Sequence, residues 1–205
     1  IGRALKLQQK ALSYTDVEVT TDPKSRDYDV LHINTYGVKS HYMVNQAHKM
    51  GKKVVYHGHS TYEDFRNSFT GSNLIAPFFK RYLVSLYKKA DAIITPTPYS
   101  KQLLRGYRLS QYIAPISNGI PLEKYAASDE KVKKFRDYFD LSPEQKVVIS
   151  VGLFFERKGI LDFVTLAKKH PEYVFIWFGY TDLRLVPQKI SRLIKGNHPR
   201  NLIFP

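Results

Sequence analysis

Two short stretches of this 205-residue chain hold side chains whose types and spacing can do chemistry. In Arg157-Lys158-Gly159, two cations lie between a strand-like run and a helix-like one. Helix N-termini bind anions through their free N–H groups and the macrodipole. A lysine at such a start can pair with a diphosphate and stabilise negative charge growing on a leaving group. On residue types alone, a solvated basic pair at a helix start is an equal reading. The second stretch is His57-Gly58-His59-Ser60-Thr61. His57 directly follows an apolar run, and open α/β sheets bind ligands at the carboxyl ends of their strands. A neutral imidazole there can hydrogen-bond a hydroxyl or orient a second reactant. A histidine satisfied by loop backbone is the commoner fate of such a residue. His59, Ser60 and Thr61 are candidates for the same cleft. The chain has no cysteine, which excludes a disulfide scaffold, a thiolate metal site and a cysteine nucleophile.

These residues need a frame, and the apolar pattern supplies one. The strand-like runs are 29–34, 53–57, 92–95, 112–116, 146–151, 173–178 and 201–204. Helical stretches fall between them at 3–12, 38–50, 76–90, 99–104, 160–169 and 186–194. Strands alternating with helices predict parallel α/β architecture. Residues 122–145 break the alternation with a charged run, Lys131-Val132-Lys133-Lys134-Phe135-Arg136-Asp137, and read as a linker with its own helix. The expected division is therefore a Rossmann-like domain over 1–121, a linker over 122–145 and a partial second Rossmann-like domain over 146–205. The first domain is expected to lack its opening strand. Ile1–Lys6 does not read as a signal peptide, because no long apolar core follows it. Asn118-Gly119 is a turn signal that shapes the crossover between the domains.

The formal net charge is +14, with +9 on residues 1–121 and +5 on the remainder. Such a surface attracts nucleic acid, anionic lipid or phosphorylated substrates. No recognised nucleic-acid-binding motif is present, so nucleic acid is not the expected partner and a basic nucleic-acid-binding α/β module is the least favoured reading. The helix at 76–90 is the membrane candidate. Residues 72–90 hold four cations, Lys80, Arg81, Lys88 and Lys89, and no acid. Phe78, Phe79, Tyr82 and Tyr87 add aromatic surface, and Pro77 is placed in the first turn. Such a helix can lie in an anionic interface, each cation contributing on the order of 1 kcal/mol. A surface helix with its apolar stripe in the core fits the composition equally well.

Three blocks in order resemble the retaining glycosyltransferases of family 4, in the two-Rossmann GT-B class. They are Ile94-Thr-Pro-Thr-Pro-Tyr-Ser-Lys-Gln-Leu-Leu104, Ile116-Ser-Asn-Gly-Ile-Pro121 and Val151-Gly-Leu-Phe-Phe-Glu-Arg-Lys-Gly-Ile160. A fourth, His57 to Phe69, is similar to the 1,2-diacylglycerol 3-glucosyltransferase-like glycolipid synthases. The resemblance implies transfer of a hexose, glucose in the first instance, from a UDP-sugar to diacylglycerol, with retention. It implies a cytoplasmic protein held on the inner face of the cell membrane, with no cofactor and no metal. A transferase of the same fold acting on a soluble or polyprenyl-linked acceptor is the alternative. By the same resemblance Lys158 and Arg157 hold the donor diphosphate and His57 is catalytic. Gly2-Arg3 matches the end of a glycine-rich loop, and Gly2, Arg3, His59, Ser60, Thr61 and Asn118 line the acceptor cleft. The family usually carries an arginine just after the glycine of the third block, where this chain has Leu153.

Overall fold

A computed structural model describes residues 2–205, and they divide into two compact units. Unit 1 holds 2–62 and 77–121, and unit 2 holds 63–76 and 122–205.

Unit 1 is built on four parallel strands in the order β1 (Val30–Ile33), β2 (Lys53–His57), β3 (Ala92–Thr95) and β4 (Tyr112–Pro115). Their β-branched and aromatic residues suit a pleated, buried surface. The register pairs Leu31 with Val54, Tyr56 with Ile93, and Ile93 with Ile113. Parallel neighbours need crossover connections, and helices provide them. After α1 (Gly2–Leu12), α2 (Val38–Lys49) joins β1 to β2. The short α3 (Tyr62–Phe65) and the longer α4 (Ser72–Tyr87) join β2 to β3, and α5 (Pro98–Arg105) joins β3 to β4. At the start of α5 the Thr97 side chain accepts from the Ser100 N–H at 3.1 Å and Pro98 fills the first turn. Val44, Ala47, Val54, Leu83, Leu86, Ile93 and Leu104 are fully buried between sheet and helices.

Unit 2 has three parallel strands in the order β5 (Val147–Val151), β6 (Val174–Phe178) and β7 (Leu202–Ile203). They are accompanied by α6 (Asp129–Tyr138), α7 (Ile160–Lys169) and α8 (Gln188–Ile194). Phe163 packs edge-on against Phe175 and Trp177, both at 5.2 Å. Gly179 follows β6 where backbones crowd, since a Cβ there would collide with the Gly152 carbonyl oxygen. That closeness holds the end of β5 against the end of β6, where Gly152 N–H donates to the Phe178 carbonyl at 2.9 Å.

The structure differs from the sequence reading in three places. Residues 122–145 are not a separate linker but part of unit 2, because Phe139 of this stretch meets Phe178 of β6 at 5.7 Å. Residues 63–76, read as part of the first domain, cluster with unit 2. Their ties there include Thr70 N–H to the Leu185 carbonyl at 3.1 Å. Finally, α4 begins at Ser72, so Pro77 lies inside the helix rather than in its first turn. Lacking an N–H, Pro77 leaves the carbonyl four residues back without its helical partner.

Candidate functional site

In unit 1 the candidate site gathers at the carboxyl ends of β1 and β2. His32 and Val55 are register partners, so His57, two residues beyond Val55, rises on the same face as His32. The two rings stack at 5.6 Å and 10°. His59 also stacks on His57, at 4.0 Å and 5°. Gly58 permits this tight step, because a Cβ there would lie 2.9 Å from the Leu104 side chain. The His59 Nε2 lies 3.0 Å from Asn34 Oδ1, and the Gln8 amide nitrogen reaches His57 Nδ1 at 2.9 Å. His57 is only 3% exposed. Burial first, then the neighbouring His59 and His32, push its pKa down from 6.5 to about 3, so the ring is neutral at physiological pH. Burial likewise lowers His32 and His59. Three buried polar atoms of this cluster meet no hydrogen-bond partner among the described residues: His57 Nε2, His32 Nε2 and Gln8 Oε1. Buried polar atoms in a folded protein are normally satisfied by protein or by a small polar group, so this group of orphans makes the cluster the candidate site of unit 1.

The other residues expected to line an acceptor cleft are placed unevenly. Thr61 is buried and Ser60 half-buried, with the Ser60 carbonyl accepting from Tyr87 Oη at 2.7 Å. Gly2 and Arg3 open α1 and are exposed, and the residue of that helix that reaches His57 is Gln8. Asn118 is half-buried with its Oδ1 unpartnered, in a turn where Gly119 takes φ 70°. Sequence reasoning passed over Gln8, His32 and Asn34. His32 and Asn34 alternate at the end of a strand-like run, which is the signal that could have found them. Gln8 had none.

In unit 2, β5 ends at Val151 and α7 begins at Ile160, with Arg157, Lys158 and Gly159 between. Gly159 takes φ 79° and heads α7, whose first N–H groups have no intrahelical acceptor. Lys158 is exposed, and its Cγ and Cδ lie 3.6 Å from where a side chain on Gly152 would begin. Glycine at 152 therefore leaves room for the lysine stem. Arg157 is occupied differently from Lys158. Its Nε donates to Ser68 Oγ at 2.8 Å, and its NH1 pairs with Asp64 at 3.4 Å. Its guanidinium thus fastens the 63–76 segment within unit 2. Leu153 is 45% exposed and offers no charge in place of the family's arginine. Among the described residues no group of three His, Asp or Glu side chains is arranged to hold a metal ion.

The membrane candidates also separate. On α4, Leu83, Leu86 and Tyr87 are buried and Phe79 packs against the core of unit 1. Lys80 covers the rings of Tyr62 and Tyr107 at 5.2 and 4.6 Å, and Lys89 donates to Asn45 at 2.9 Å. Phe79, Leu83 and Leu86 of α4, with Ala90 just beyond it, therefore serve the fold. Phe78, 68% exposed, and the exposed cations Arg81 and Lys88 face solvent. Alongside them α2 exposes Val38 and Tyr42, the two helices being joined by Ser85 and His41 at 3.4 Å. No helix among the described residues is long and apolar enough to cross a membrane.

Comparison with known proteins agrees with this architecture. The sequence profile of Glycosyltransferase Family 4 matches residues 21–124. The chain is 46% identical over its whole length to the processive diacylglycerol alpha-glucosyltransferase of Acholeplasma laidlawii, of which it covers 60%. It is 28% identical, over 93% of its length, to the alpha-galactosylglucosyldiacylglycerol synthase of Streptococcus pneumoniae, of which it covers 52%. The chain thus spans roughly half to three-fifths of these relatives. Among solved structures, Anabaena HepE in complex with UDP-glucose superposes with a TM-score of 0.63 at 18% identity, over 98% of this chain and 50% of that one. Sucrose-phosphate synthase of Thermosynechococcus elongatus gives 0.65 at 18% identity, over 87% and 45%. The fold is GT-B. With parallel Rossmann-like units, a histidine cluster at the strand ends of one, a lysine at a helix start of the other and a family profile over half its length, the chain belongs to glycosyltransferase family 4.

Proposed function

We propose that the protein transfers a hexose, glucose in the first instance, from a UDP-sugar to the hydroxyl of a diacylglycerol lipid, with retention at the anomeric carbon. The observation that carries the reading is the buried, uncharged His57 at the end of β2, with Nε2 unpartnered among the described residues. A neutral imidazole in such a place makes a directional hydrogen bond to a sugar or acceptor oxygen without a charge to desolvate. In unit 2, Lys158 and the N-terminus of α7 offer an ammonium and free N–H groups to a diphosphate. The bond from the anomeric carbon to the UDP oxygen breaks with its electron pair leaving on UDP. The acceptor oxygen bonds the same carbon on the face UDP leaves, and the hydroxyl proton departs with the nucleotide. Lys158 stabilises the charge that grows on the diphosphate. The diacylglycerol acceptor is supported by the names of two relatives, each acting on or making a diacylglycerol glycolipid.

A lipid acceptor places the reaction at a membrane, on the inner face where the cytoplasmic UDP-sugar is available. The exposed Phe78, Arg81 and Lys88 of α4, with Val38 and Tyr42 of α2, support an anionic interface as the working surface. The test is to incubate the full-length protein with radiolabelled UDP-glucose and vesicles containing diacylglycerol. Label should enter the lipid phase as an α-glycoside. Label appearing only on a water-soluble or polyprenyl acceptor would defeat the diacylglycerol assignment, and no transfer from any UDP-sugar would defeat the reading as a whole.

A further inference from the structure

His57 lies nearly parallel to both His32 and His59, and its two ring nitrogens hydrogen-bond at the edge of the imidazole. One edge is taken. Gln8 Nε2 approaches His57 Nδ1 at 2.9 Å across 49 residues of sequence. An amide nitrogen carries hydrogens and no lone pair to offer, so it donates and Nδ1 accepts. A neutral imidazole has one N–H, and with Nδ1 accepting, that proton belongs on Nε2. Nε2 is the edge that is buried and without a partner among the described residues. The flanking rings do not compete for Gln8, because His59 uses its Nε2 on Asn34 and the His32 Nε2 is itself unpartnered.

We propose that Gln8 is a positioning residue that fixes the tautomer of His57, so that His57 meets its substrate as a hydrogen-bond donor through Nε2–H. The substrate atom it takes is then an oxygen lone pair of the hexose or the acceptor, and Nε2 does not receive a proton from the attacking hydroxyl. The consequence for the substrate rests on the reading of His57 as a substrate contact. The tautomer itself does not.

The experiment uses the full-length protein labelled with 15N-histidine. Multiple-bond 1H–15N spectra near neutral pH distinguish the two tautomers, and the His57 signals are assigned by their loss in His57→Gln. The wild-type ring should be protonated on Nε2. In Gln8→Glu the side chain is a carboxylate that only accepts, so the proton should move to Nδ1. Gln8→Leu, which offers neither donor nor acceptor, should give a mixture, and it carries the same test should the glutamate variant fail to fold. Inverting the tautomer removes one transition-state hydrogen bond, so kcat/KM in Gln8→Glu should fall by about tenfold. A wild-type ring protonated on Nδ1, or a tautomer indifferent to residue 8, overturns the proposal. Tautomer inversion with undiminished transfer overturns the donor role and, separately, the reading of His57 as a substrate contact.

Discussion

Acidification should weaken unit 1 through His57, and the size of the effect can be worked from its surroundings. The folded ring titrates at about 3, against an ordinary value of 6.5, because burial and two neighbouring imidazoles oppose its charge. Below about pH 6.5 the unfolded chain binds a proton at this residue that the folded protein refuses until about pH 3. Stability is therefore whole above about pH 6.5 and is lost as pH falls through that window. Proton linkage makes the loss about 2 kcal/mol at about pH 5 and about 4 kcal/mol by about pH 3. His32 and His59, both lowered by burial, add in the same direction. The comparison is wild type against His57→Gln at about pH 7.5 and about pH 5. Carboxylates titrate in both proteins and cancel in the difference. The readout matters, because the chain's one tryptophan, Trp177, sits in unit 2 and its fluorescence follows the wrong unit. Hydrogen exchange of the β2 amides as a function of urea follows the right one. Wild type should lose about 2 kcal/mol more than the variant on acidification, a shift of about 1 M in urea midpoint. Equal losses in the two proteins would refute the buried, uncharged ring and the site built on it.

Two contrasting pairs of variants test the rest of the geometry. Lys158→Ala should lower transfer from the UDP-sugar by about a hundredfold in steady-state kinetics, as expected for a lost electrostatic contact to the leaving group. Arg157→Ala should leave transfer much closer to wild type and instead weaken unit 2 by about 1 kcal/mol in denaturant titrations, through loss of its bonds to Ser68 and Asp64. Phe78→Asp should reduce sedimentation with anionic vesicles while leaving the melting temperature unchanged. Phe79→Ala should do the reverse, destabilising unit 1 by about 2 kcal/mol, because Phe79 packs against the core.

The strand runs were legible because β-branched and aromatic residues cluster where backbone is buried on both sides, as in Lys53–His57 and Val174–Phe178. His57 and Lys158 were legible for a related reason: each stands where a strand ends or a helix begins, and that position is written in the local pattern. His32 and Asn34 carried the same kind of signal at the end of β1 and were passed over, whereas Gln8 carried none, because its role arises from a contact that joins segments 49 residues apart. The start of α4 was missed because Pro77 looked like a first-turn residue and the residues before it carry no strong helix signal. The inward turn of Phe79 and the cover that Lys80 gives to two tyrosine rings are likewise properties of packing, which composition leaves open.

The stretch from Glu63 to Ala76 belongs by contact to unit 2 although it is threaded between two parts of unit 1. This bears on how such chains can recombine. A single crossover at Pro121 would carry one parent's 63–76 into a protein whose unit 2 comes from another. Ser68 and Asp64 would then face a foreign residue where Arg157 stands, and Thr70 a foreign loop where Leu185 stands. A chimera that exchanges unit 2 between relatives must move two pieces of sequence together, and the shorter lies between two parts of unit 1. As a heritable module, unit 2 is discontinuous along the gene.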